Sequence, residues 1–440
     1  MQAELRLRSV LLIGLVLPIV AAPAKAASAD AGIMPQTAPA SISAPVALSA
    51  VFDESLVNSP RVASIRAQLG IAKAARQQAL ILPNPSFFFL QDTAQLARQI
   101  GASIPIEPPW KLVFRLLVAK NQIKQADLEI ARSLWQFRGI VRRAYLDVVM
   151  SNEATETFAE LRSLAGEIKT VAQKRFDASD VAALDVYRAD LAAMQAEADY
   201  KQSAKKVLQT KQRLSVILGR GYTEVIEVLR LPQFQLRAAT NELLPDFSQP
   251  MPPLSGLVDK ALQTRLDIKV VQQSIVVNDS SIRLSKANRL PDPVVNVGDS
   301  YSGNPPRPST ATRGFYIGVT EEVPILNRNQ GEIARLKAIK AQLGIELNST
   351  KNQATEEVVS AYQQLAAARE RVELFQTQIL PASSRVARMA RRAYEVGQND
   401  INSTLAAQQA NVQTKNAYLE AVRNYQQSLT DLEQAVGQPF

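Results

Sequence analysis

The 440-residue sequence contains no histidine and no cysteine. Without these residues the chain can form neither Ser-His-Asp nor Cys-His nucleophile systems, and it can build no zinc site on imidazole or thiolate ligands and no disulfide bond. Most enzyme classes are thereby disfavoured. The sequence predicts a protein that is not an enzyme and that needs no cofactor or metal.

Long apolar runs are scarce as well. After Arg6 and Arg8 comes an apolar run from Val10 to Val20, which is too short to span a bilayer as a helix, and then the A-x-A cleavage signal Ala24-Lys25-Ala26. We therefore predict a secretory signal peptide over residues 1–26. The Ala-, Ser- and Pro-rich residues 27–46 predict a flexible N-terminal tether. No later stretch reads as a transmembrane helix.

The formal net charge of the chain is +9. A basic excess can indicate nucleic-acid binding when the basic residues cluster on one surface. Here they alternate with acidic residues along predicted helices, which is typical of solvated helix surfaces. Export also removes the chain from nucleic acid, so no nucleic-acid partner is predicted.

The sequence contains one pattern twice. Residues Leu48 to Leu56 match Leu254 to Leu262, and each segment opens a helix that runs to a Pro-x-Pro motif, Pro83-Asn84-Pro85 in the first half and Pro291-Asp292-Pro293 in the second. A repeat of roughly two hundred residues implies two copies of one architecture rather than a solenoid. The predicted divisions are a first structural repeat over 47–218, a linker or equatorial segment over 219–253, and a second repeat over 254–440.

A β-hairpin is predicted after each Pro-x-Pro motif, over about 86–109 and about 293–323. In the second half, strands are expected at Val294 to Tyr301 and Arg313 to Val323, separated by the turn-rich residues 302–306. Apolar and polar positions alternate in the last strand, which indicates two different environments on its two sides. In the first half we expect an irregular stretch from Phe89 to Pro109.

Aromatic residues concentrate in these hairpins. They suggest an aromatic belt at the level of lipid headgroups, the alternative being a plain soluble core. The residues concerned are Phe87, Phe88, Phe89, Tyr301, Phe315 and Tyr316.

Long proline-free runs follow the hairpins and permit very long helices. None of the residues between Pro109 and Pro232 is proline. Near-heptad spacing of apolar residues predicts coiled-coil packing of neighbouring helices. The roughly 55 residues from Lys120 to about Arg175 predict a rod of about 80 Å. Pro381 predicts a local kink or a break between stacked helices, or alternatively a functional hinge.

Each rod ends in a comparable tip. In the second tip, Gly397 suits a left-handed C-terminal cap, and Asn399 or Asp400 suits the N-cap of the next helix. The first tip has Ser179 at the position of Gly397, and a left-handed serine costs on the order of 1 kcal/mol.

The charged residues of the tips allow more than one interpretation. Asp177, Asp180, Asp185 and Asp190 could bind metal or act in catalysis, or they could cap helices and line a charged surface. Arg391 and Arg392 could pair with acids of the neighbouring hairpin or face solvent.

Together these features resemble the TolC family of outer-membrane efflux and secretion channels. The export signal, both Pro-x-Pro motifs, the segment Glu322 to Ile333 and the tips Phe176 to Arg188 and Tyr394 to Gln409 carry the resemblance, which covers about residues 48–438. It implies a mainly α fold with a small β portion. Duplicated long-helix hairpins would form a periplasmic α-barrel, and four strands per subunit would contribute to a trimeric twelve-stranded outer-membrane β-barrel.

The resemblance implies a passive outer-membrane exit channel of a tripartite efflux or type I secretion system. The implied partners are two further copies of the chain in a homotrimer, a periplasmic adaptor, an inner-membrane pump and outer-membrane lipid. Some family members carry pore-facing aspartates where this chain has Ser403 and Ala406, so closure by Asp185 or Asp400 is considered instead. The competing hypotheses are a periplasmic coiled-coil scaffold or adaptor without its own barrel and, more remotely, an exported hydrolase.

Two sets of functional residues follow from the resemblance. The adaptor-docking and gating tips comprise Arg175, Phe176, Asp177, Ser179, Asp180, Asp185, Tyr394, Gly397, Asn399, Asp400 and Ser403. The strand-helix junctions comprise Pro83, Pro85, Pro109, Pro291, Pro293 and Pro324.

Overall fold

The computed structural model describes residues 46–92, 97–224, 226–228, 247, 249–304 and 307–439. The predicted signal peptide lies outside the described residues, as do all of the predicted tether except Val46 and most of the predicted linker. For residues 303–311 the description covers the backbone.

The elements repeat in the same order in the two halves, each running helix, helix, strand, strand, long helix, return helix. The duplicated long-helix hairpins with a small β portion, predicted as the fold class, are confirmed. The first half consists of α1 Leu48–Asn58, α2 Pro60–Leu80, β1 Ser86–Asp92, β2 Ala97–Pro105, α3 Pro109–Asp177 and α4 Ala183–Ile217. The second half consists of α5 Leu254–Thr264, α6 Leu266–Ala287, β3 Val294–Asn304, β4 Arg307–Thr320, α7 Gln330–Leu374, a π-helical turn Phe375–Ile379, α8 Leu380–Glu395 and α9 Ile401–Val436.

The long rod of the first half is longer than predicted. Helix α3 begins at Pro109 itself and has 69 residues, which corresponds to roughly 100 Å. The estimate that began at Lys120 was wrong because Pro109 occupies the first turn of the helix, where a missing N–H group and a fixed φ are tolerated. No described helix has the combination of length and apolar character needed to cross a bilayer.

Pro381 does not break the helical path. A π-helical turn over Phe375–Ile379 leads directly into α8, and Pro381 lies in the first turn of that helix. A proline within a helix removes one hydrogen bond and clashes with the carbonyl four residues earlier, and the wider π turn relieves that clash. The predicted break between stacked helices is therefore replaced by a continuous helix with a local distortion.

The four strands form one antiparallel sheet in the order β1-β2-β3-β4. In the first half, β2 is a regular strand that ends at Pro105, so the irregular stretch expected up to Pro109 was wrong. The pattern was hidden because Arg98 and Gly101 interrupt the apolar alternation. In the second half, β3 continues to Asn304, so the turn is shorter than expected, and β4 ends at Thr320 rather than at Val323.

The register gives the sheet two different faces. On one face lie mostly apolar side chains, several of them strongly exposed, including Phe87 at 83% and Phe315 at 76%. The opposite face carries serine, asparagine and glycine, with Ser103 donating to Asn296 over 2.6 Å. The members of the apolar face are Phe87, Phe89, Ile100, Ala102, Ile104, Val295, Val297, Phe315, Ile317 and Val319.

Two aromatic residues predicted in the lipid-facing belt lie on the polar face instead. Phe88, Gly101, Gly298 and Tyr316 are cross-strand neighbours in one row. A Cβ atom on Gly101 would lie 2.6 Å from the Phe88 ring and 2.8 Å from the Tyr316 hydroxyl, so these rings cover the glycines. The belt prediction was wrong for Phe88 and Tyr316 because the pleat alternates neighbouring side chains between faces.

The main core lies where the helices of both halves meet. Val141, Leu146, Leu214 and Val436 are almost fully buried there, and Arg142 donates to Glu433 over 2.7 Å. The described parts of the predicted linker contact this core, since Ile226 and Val228 are buried in it. A second, smaller cluster near the tips consists of Ile168, Ala172, Ala189, Tyr394 and Ile401.

Candidate functional site: the junctions and the two helical tips

The strand-helix junctions are fixed by side chains from the following long helix. Arg115 in α3 donates to the carbonyls of Ala79 and Ile81 over 2.8 and 3.1 Å and pairs with Glu107 over 2.9 Å. It thereby satisfies carbonyl groups at the end of α2 that have no partner within that helix. In the second half, Asn329 Nδ2 donates to the Ser285 carbonyl over 2.9 Å and plays the same part for α6.

One ion pair joins the two halves at this level. The buried Lys111, in the first turn of α3, donates to Asp292 of the second Pro-x-Pro motif over 2.5 Å. The Ile106 N–H group also donates to the Pro293 carbonyl over 2.8 Å. These contacts hold the two hairpins in one sheet. The sequence showed the prolines, whereas the partners of Arg115 and Lys111 depend on long-range packing and gave no local signal. Pro109 is the first residue of α3, and Pro85 and Pro293 directly precede β1 and β3. The other three predicted junction prolines lie in the connecting segments after α2, α6 and β4, namely Pro83, Pro291 and Pro324.

The two tips close with the same backbone geometry. After α3, the Asp180 N–H donates to the Arg175 carbonyl and the Ser179 N–H to the Phe176 carbonyl, both over 2.8 Å. After α8, the Gln398 N–H donates to the Ala393 carbonyl over 2.7 Å and the Gly397 N–H to the Tyr394 carbonyl over 3.1 Å. This pair of bonds is the Schellman motif, which needs a left-handed residue.

The left-handed residue is the one that the alignment of the repeats predicted. Ser179 has a φ of 63° and Gly397 a φ of 79°. In the second tip, the Asp400 side chain caps α9 by accepting from the Ser403 N–H over 2.6 Å, and this bond lowers the pKa of the Asp400 carboxyl. Ser403 in turn donates its hydroxyl to Asn399 over 2.6 Å. Ser403 therefore takes part in capping the start of α9.

Arg175 connects the first tip to the second. Its Nη1 donates to the Tyr394 carbonyl over 3.2 Å, and its guanidinium carbon lies 5.2 Å from the centre of the Tyr394 ring. The Tyr394 side chain is only 2% exposed. Burial raises the pKa of Tyr394, and the nearby Arg175 opposes that shift. The buried Tyr394 thus connects the two hairpins through its contacts with Arg175.

A second connection between the two hairpins lies between α8 and α3, before the tips. Arg391 in α8 donates to Glu167 in α3 over 2.6 Å and to Glu395 over 2.8 Å. The bond to Glu395, followed by the charge of Glu167, raises the pKa of Arg391. Of the two interpretations for Arg391, pairing with the neighbouring hairpin is confirmed. Arg392 has no ion pair with any described residue.

The four tip carboxylates do not converge on a metal site. Asp177 accepts from Gln173 over 2.8 Å, Asp185 lies 3.5 Å from Arg188, and Asp190 pairs with Lys169. Asp180 and the tip residue Phe176 are exposed. Across the described residues there is no group of three or more acidic side chains placed to hold a metal ion. The arrangement favours capping and inter-helix pairing.

Helices α4 and α8 leave apolar stripes uncovered, which sequence reasoning missed. Exposed apolar residues recur in α4 with helical spacing on the side opposite its contacts with α3, and a similar stripe lies on α8. The spacing of three and four residues was a readable signal. The stripe of α4 consists of Leu184, Tyr187, Leu191 and Met194, and that of α8 consists of Val386 and Met389 and continues to Val396 just after the helix.

Comparison with known proteins agrees with this architecture. The family described as outer membrane efflux protein matches residues 257–438. The second repeat is therefore similar to this family over most of its length. The family is one of transport proteins and not of enzymes, and the match agrees with the outer-membrane location, with a large periplasmic portion, that the sequence predicted.

Individual relatives cover most of the chain. The cobalt-zinc-cadmium resistance protein CzcC of Cupriavidus metallidurans is 23% identical over 408 residues, which span 91% of this chain and 92% of CzcC. The outer membrane channel CmeC of Campylobacter jejuni has a TM-score of 0.67 at 15% identity, covering 89% of this chain and 85% of its own. VceC, an outer membrane protein of Vibrio cholerae, has a TM-score of 0.64 at 14% identity, covering 89% and 96%. These similarities show the fold.

Proposed function

We propose that this chain is a passive exit channel in the outer membrane, which accepts cargo from an inner-membrane pump through a periplasmic adaptor in a tripartite efflux or type I secretion system. The two-faced sheet carries this proposal. An apolar face as exposed as that of Phe87, Phe89, Phe315 and Ile317 is unfavourable in water and favourable against lipid. The polar face, with Ser103 and Asn296, suits an aqueous lumen.

The same sheet requires further copies of the chain. Strand β1 pairs only with β2, and β4 pairs only with β3, among the described strands. An open edge in lipid leaves N–H and C=O groups without partners, each at a cost of several kcal/mol. Three copies joined edge to edge, β4 of one copy beside β1 of the next, close a barrel of twelve strands. The proposed membrane location therefore requires further copies, and the family resemblance gives their number as three.

The helical portion offers matching surfaces for self-assembly. Helix α4 packs on α3, where Ser203 bonds Thr155 over 2.7 Å, and its apolar stripe points the opposite way. Helix α8 packs on α9, where Gln408 donates to the Ala387 carbonyl over 3.0 Å, and it exposes its own stripe. We assign the α4 stripe of one copy to the α8 stripe of the next. Each buried large apolar side chain then contributes roughly 1.5–3 kcal/mol.

The two tips form the far end of the channel and are proposed to bind the adaptor and to gate the pore. They expose backbone turns and charged groups at Phe176, Asp177, Asp180 and Gly397, while Arg175 and Arg391 hold the hairpins together. Opening would require the bonds of Arg175 to Tyr394 and of Arg391 to Glu167 to break. Outer-membrane lipid contacts the apolar sheet face, and neither a cofactor nor nucleic acid takes part.

Disulfide crosslinking tests this proposal, because the chain has no cysteine of its own. The variant L191C/M389C should form covalent trimers in the outer membrane under mild oxidation, and the trimers should need detergent for extraction. Each single variant should give no trimer. The pair L191C/I71C is the matched control and should stay uncrosslinked, although Ile71 on α2 is more exposed than Met389. A soluble monomer, or equal crosslinking of the control pair, would refute the channel assembly.

A further inference from the structure

The apolar face of the sheet ends in a charged row. Gln91, Arg98, Tyr301 and Arg313 are consecutive cross-strand neighbours on β1, β2, β3 and β4. They lie two residues beyond Phe89, Ile100 and Phe315 on their strands, so their side chains lie on the same face. We call these four residues the arginine row.

The row has a defined geometry. The Arg98 guanidinium carbon lies 5.1 Å from the centre of the Tyr301 ring, and Arg98 forms no ion pair with a described residue. Arg313 Nε donates to Asp299 over 2.9 Å, and the Arg313 side chain is 77% exposed. Adjacent strands are about 4.8 Å apart, so the backbones of Arg98 and Arg313 flank Tyr301 about 10 Å from each other. Most of the ten guanidinium N–H donors, five per arginine, remain available.

The depth of the row places it near the outer edge of the lipid-facing apolar band. From the exposed Ile106 to Arg98 the chain advances about 27 Å along the strand direction, or about 20 Å along the bilayer normal at a tilt of about 40°. The lipid-facing apolar band of such proteins is about 25 Å tall. An arginine on the lipid face costs about 2–4 kcal/mol at the midplane and little at the interface. Asp299, one row deeper, is neutralised by Arg313.

The row lies at the outer interface. The helices leave the sheet at Pro109 and after Pro324, which is the opposite end from the arginine row, and these helices are periplasmic. Tyr301 adds an aromatic ring with a polar tip, a residue type that favours the headgroup level.

We propose that the arginine row is a binding site for the phosphate group of an anionic lipid in the outer leaflet. Arg98 and Arg313 donate hydrogen bonds to the phosphate oxygens from either side, and the Tyr301 ring holds the Arg98 guanidinium in place. Three such sites surround the trimer. This inference rests on the proposed function and names the lipid chemistry that the channel recognises.

Native mass spectrometry of the detergent-purified, full-length trimer tests the site, with bisphosphorylated lipid A as the probe. Near a membrane surface one arginine contributes about 1 kcal/mol, so R98Q should weaken lipid retention about five-fold and R98Q/D299N/R313Q more strongly. D299N accompanies R313Q so that no unpaired carboxylate is left on the apolar face. R66Q, which removes an exposed arginine from α2, is the matched control and should not change retention.

Two further measurements decide the source of the phosphate. Lipid A without phosphates but with the same acyl chains should bind the unmodified protein more weakly than bisphosphorylated lipid A does. R98Q and the unmodified protein should bind this dephosphorylated lipid equally well. Excess inorganic phosphate should not displace the lipid. Equal retention by R98Q and R66Q, equal binding of dephosphorylated lipid, or displacement by free phosphate would each overturn the site. Failure of the unmodified chain to form membrane trimers would instead contradict the proposed function.

Discussion

The turn after α3 and the turn after α8 close with the same pair of backbone hydrogen bonds, yet the left-handed position is serine in the first and glycine in the second. A serine at a φ of 63° carries a steric cost on the order of 1 kcal/mol that glycine does not. The comparison teaches that the repeat preserves turn geometry even where the residue is unsuited to it.

The tips also differ in their contacts. The first tip sends Arg175 across to the second, and the second receives it on the Tyr394 ring and carbonyl. A Cβ atom on Gly397 would lie 3.4 Å from Arg175 Nη2. Gly397 therefore forms its turn directly beside the Arg175 guanidinium of the first tip.

The largest effect is expected from G397V. A β-branched residue at a φ of 79° should destabilise the second tip by about 2 kcal/mol or more, and its side chain should displace Arg175. Hydrogen exchange of the Gln398 amide should accelerate at least about twenty-fold, and trimer assembly or export should be impaired. S179V is the matched control, with a smaller loss. Normal export with unchanged trimer stability in G397V would contradict the role assigned to this turn.

A smaller effect is expected from R175M, which keeps much of the side-chain length and removes the charge. Loss of the bond to the Tyr394 carbonyl and of the contact with its ring should weaken the link between tips by about 1–2 kcal/mol, since Arg175 is partly exposed. In planar bilayers the trimer should conduct more than the unmodified protein. R188M is the control, since it removes an arginine of the same tip whose ion pair, among the described residues, is with Asp185 in the same helix. If both variants conduct equally, the bridge is not part of the gate.

Local chemistry made these tips predictable from the sequence. Gly397 and the Asn399-Asp400 pair have strong preferences for particular cap positions, and Ser179 was found because it aligned with Gly397. The junction prolines were readable for the same reason, since proline limits helices and strands wherever it occurs. The long helices and the duplication needed only periodicity and spacing.

Features that depend on register or distant packing were not predictable. Phe88 and Phe89 are neighbours in sequence but lie on opposite faces, and only the pairing of Phe88 with Gly101 shows which face is polar. The bonds of Lys111 to Asp292 and of Arg175 to Tyr394 join residues roughly two hundred positions apart, so no local preference indicates them. The proposed partner of the α4 stripe lies on another copy of the chain.

S179G should stabilise the first tip, whereas G397V should destabilise the second. Glycine should relieve the left-handed strain and stabilise the first tip by up to about 1 kcal/mol, offset in part by the greater freedom of glycine in the unfolded chain. Hydrogen exchange of the Asp180 amide should slow by up to about five-fold and approach that of Gln398. S179A, which keeps the strain and removes the hydroxyl, should show no such slowing. A slowing of equal size in S179A would mean that the hydroxyl, not the backbone, distinguishes the tips.

The smallest effect concerns pH and only the second tip. The Asp400 carboxylate accepts from the Ser403 N–H, and its folded pKa lies below the ordinary value of 3.8. Its contribution to stability is therefore complete above pH 3.8 and is lost as the pH falls through the lower folded pKa. Exchange at the start of α9 should rise in acid in the unmodified chain, while D400N, which still caps but cannot titrate, should not show that rise. The first tip has Ala182 before α4 with no side-chain cap, so α4 serves as the internal control. An equal acid response at the starts of α4 and α9 would show that pH acts on the tips through other groups.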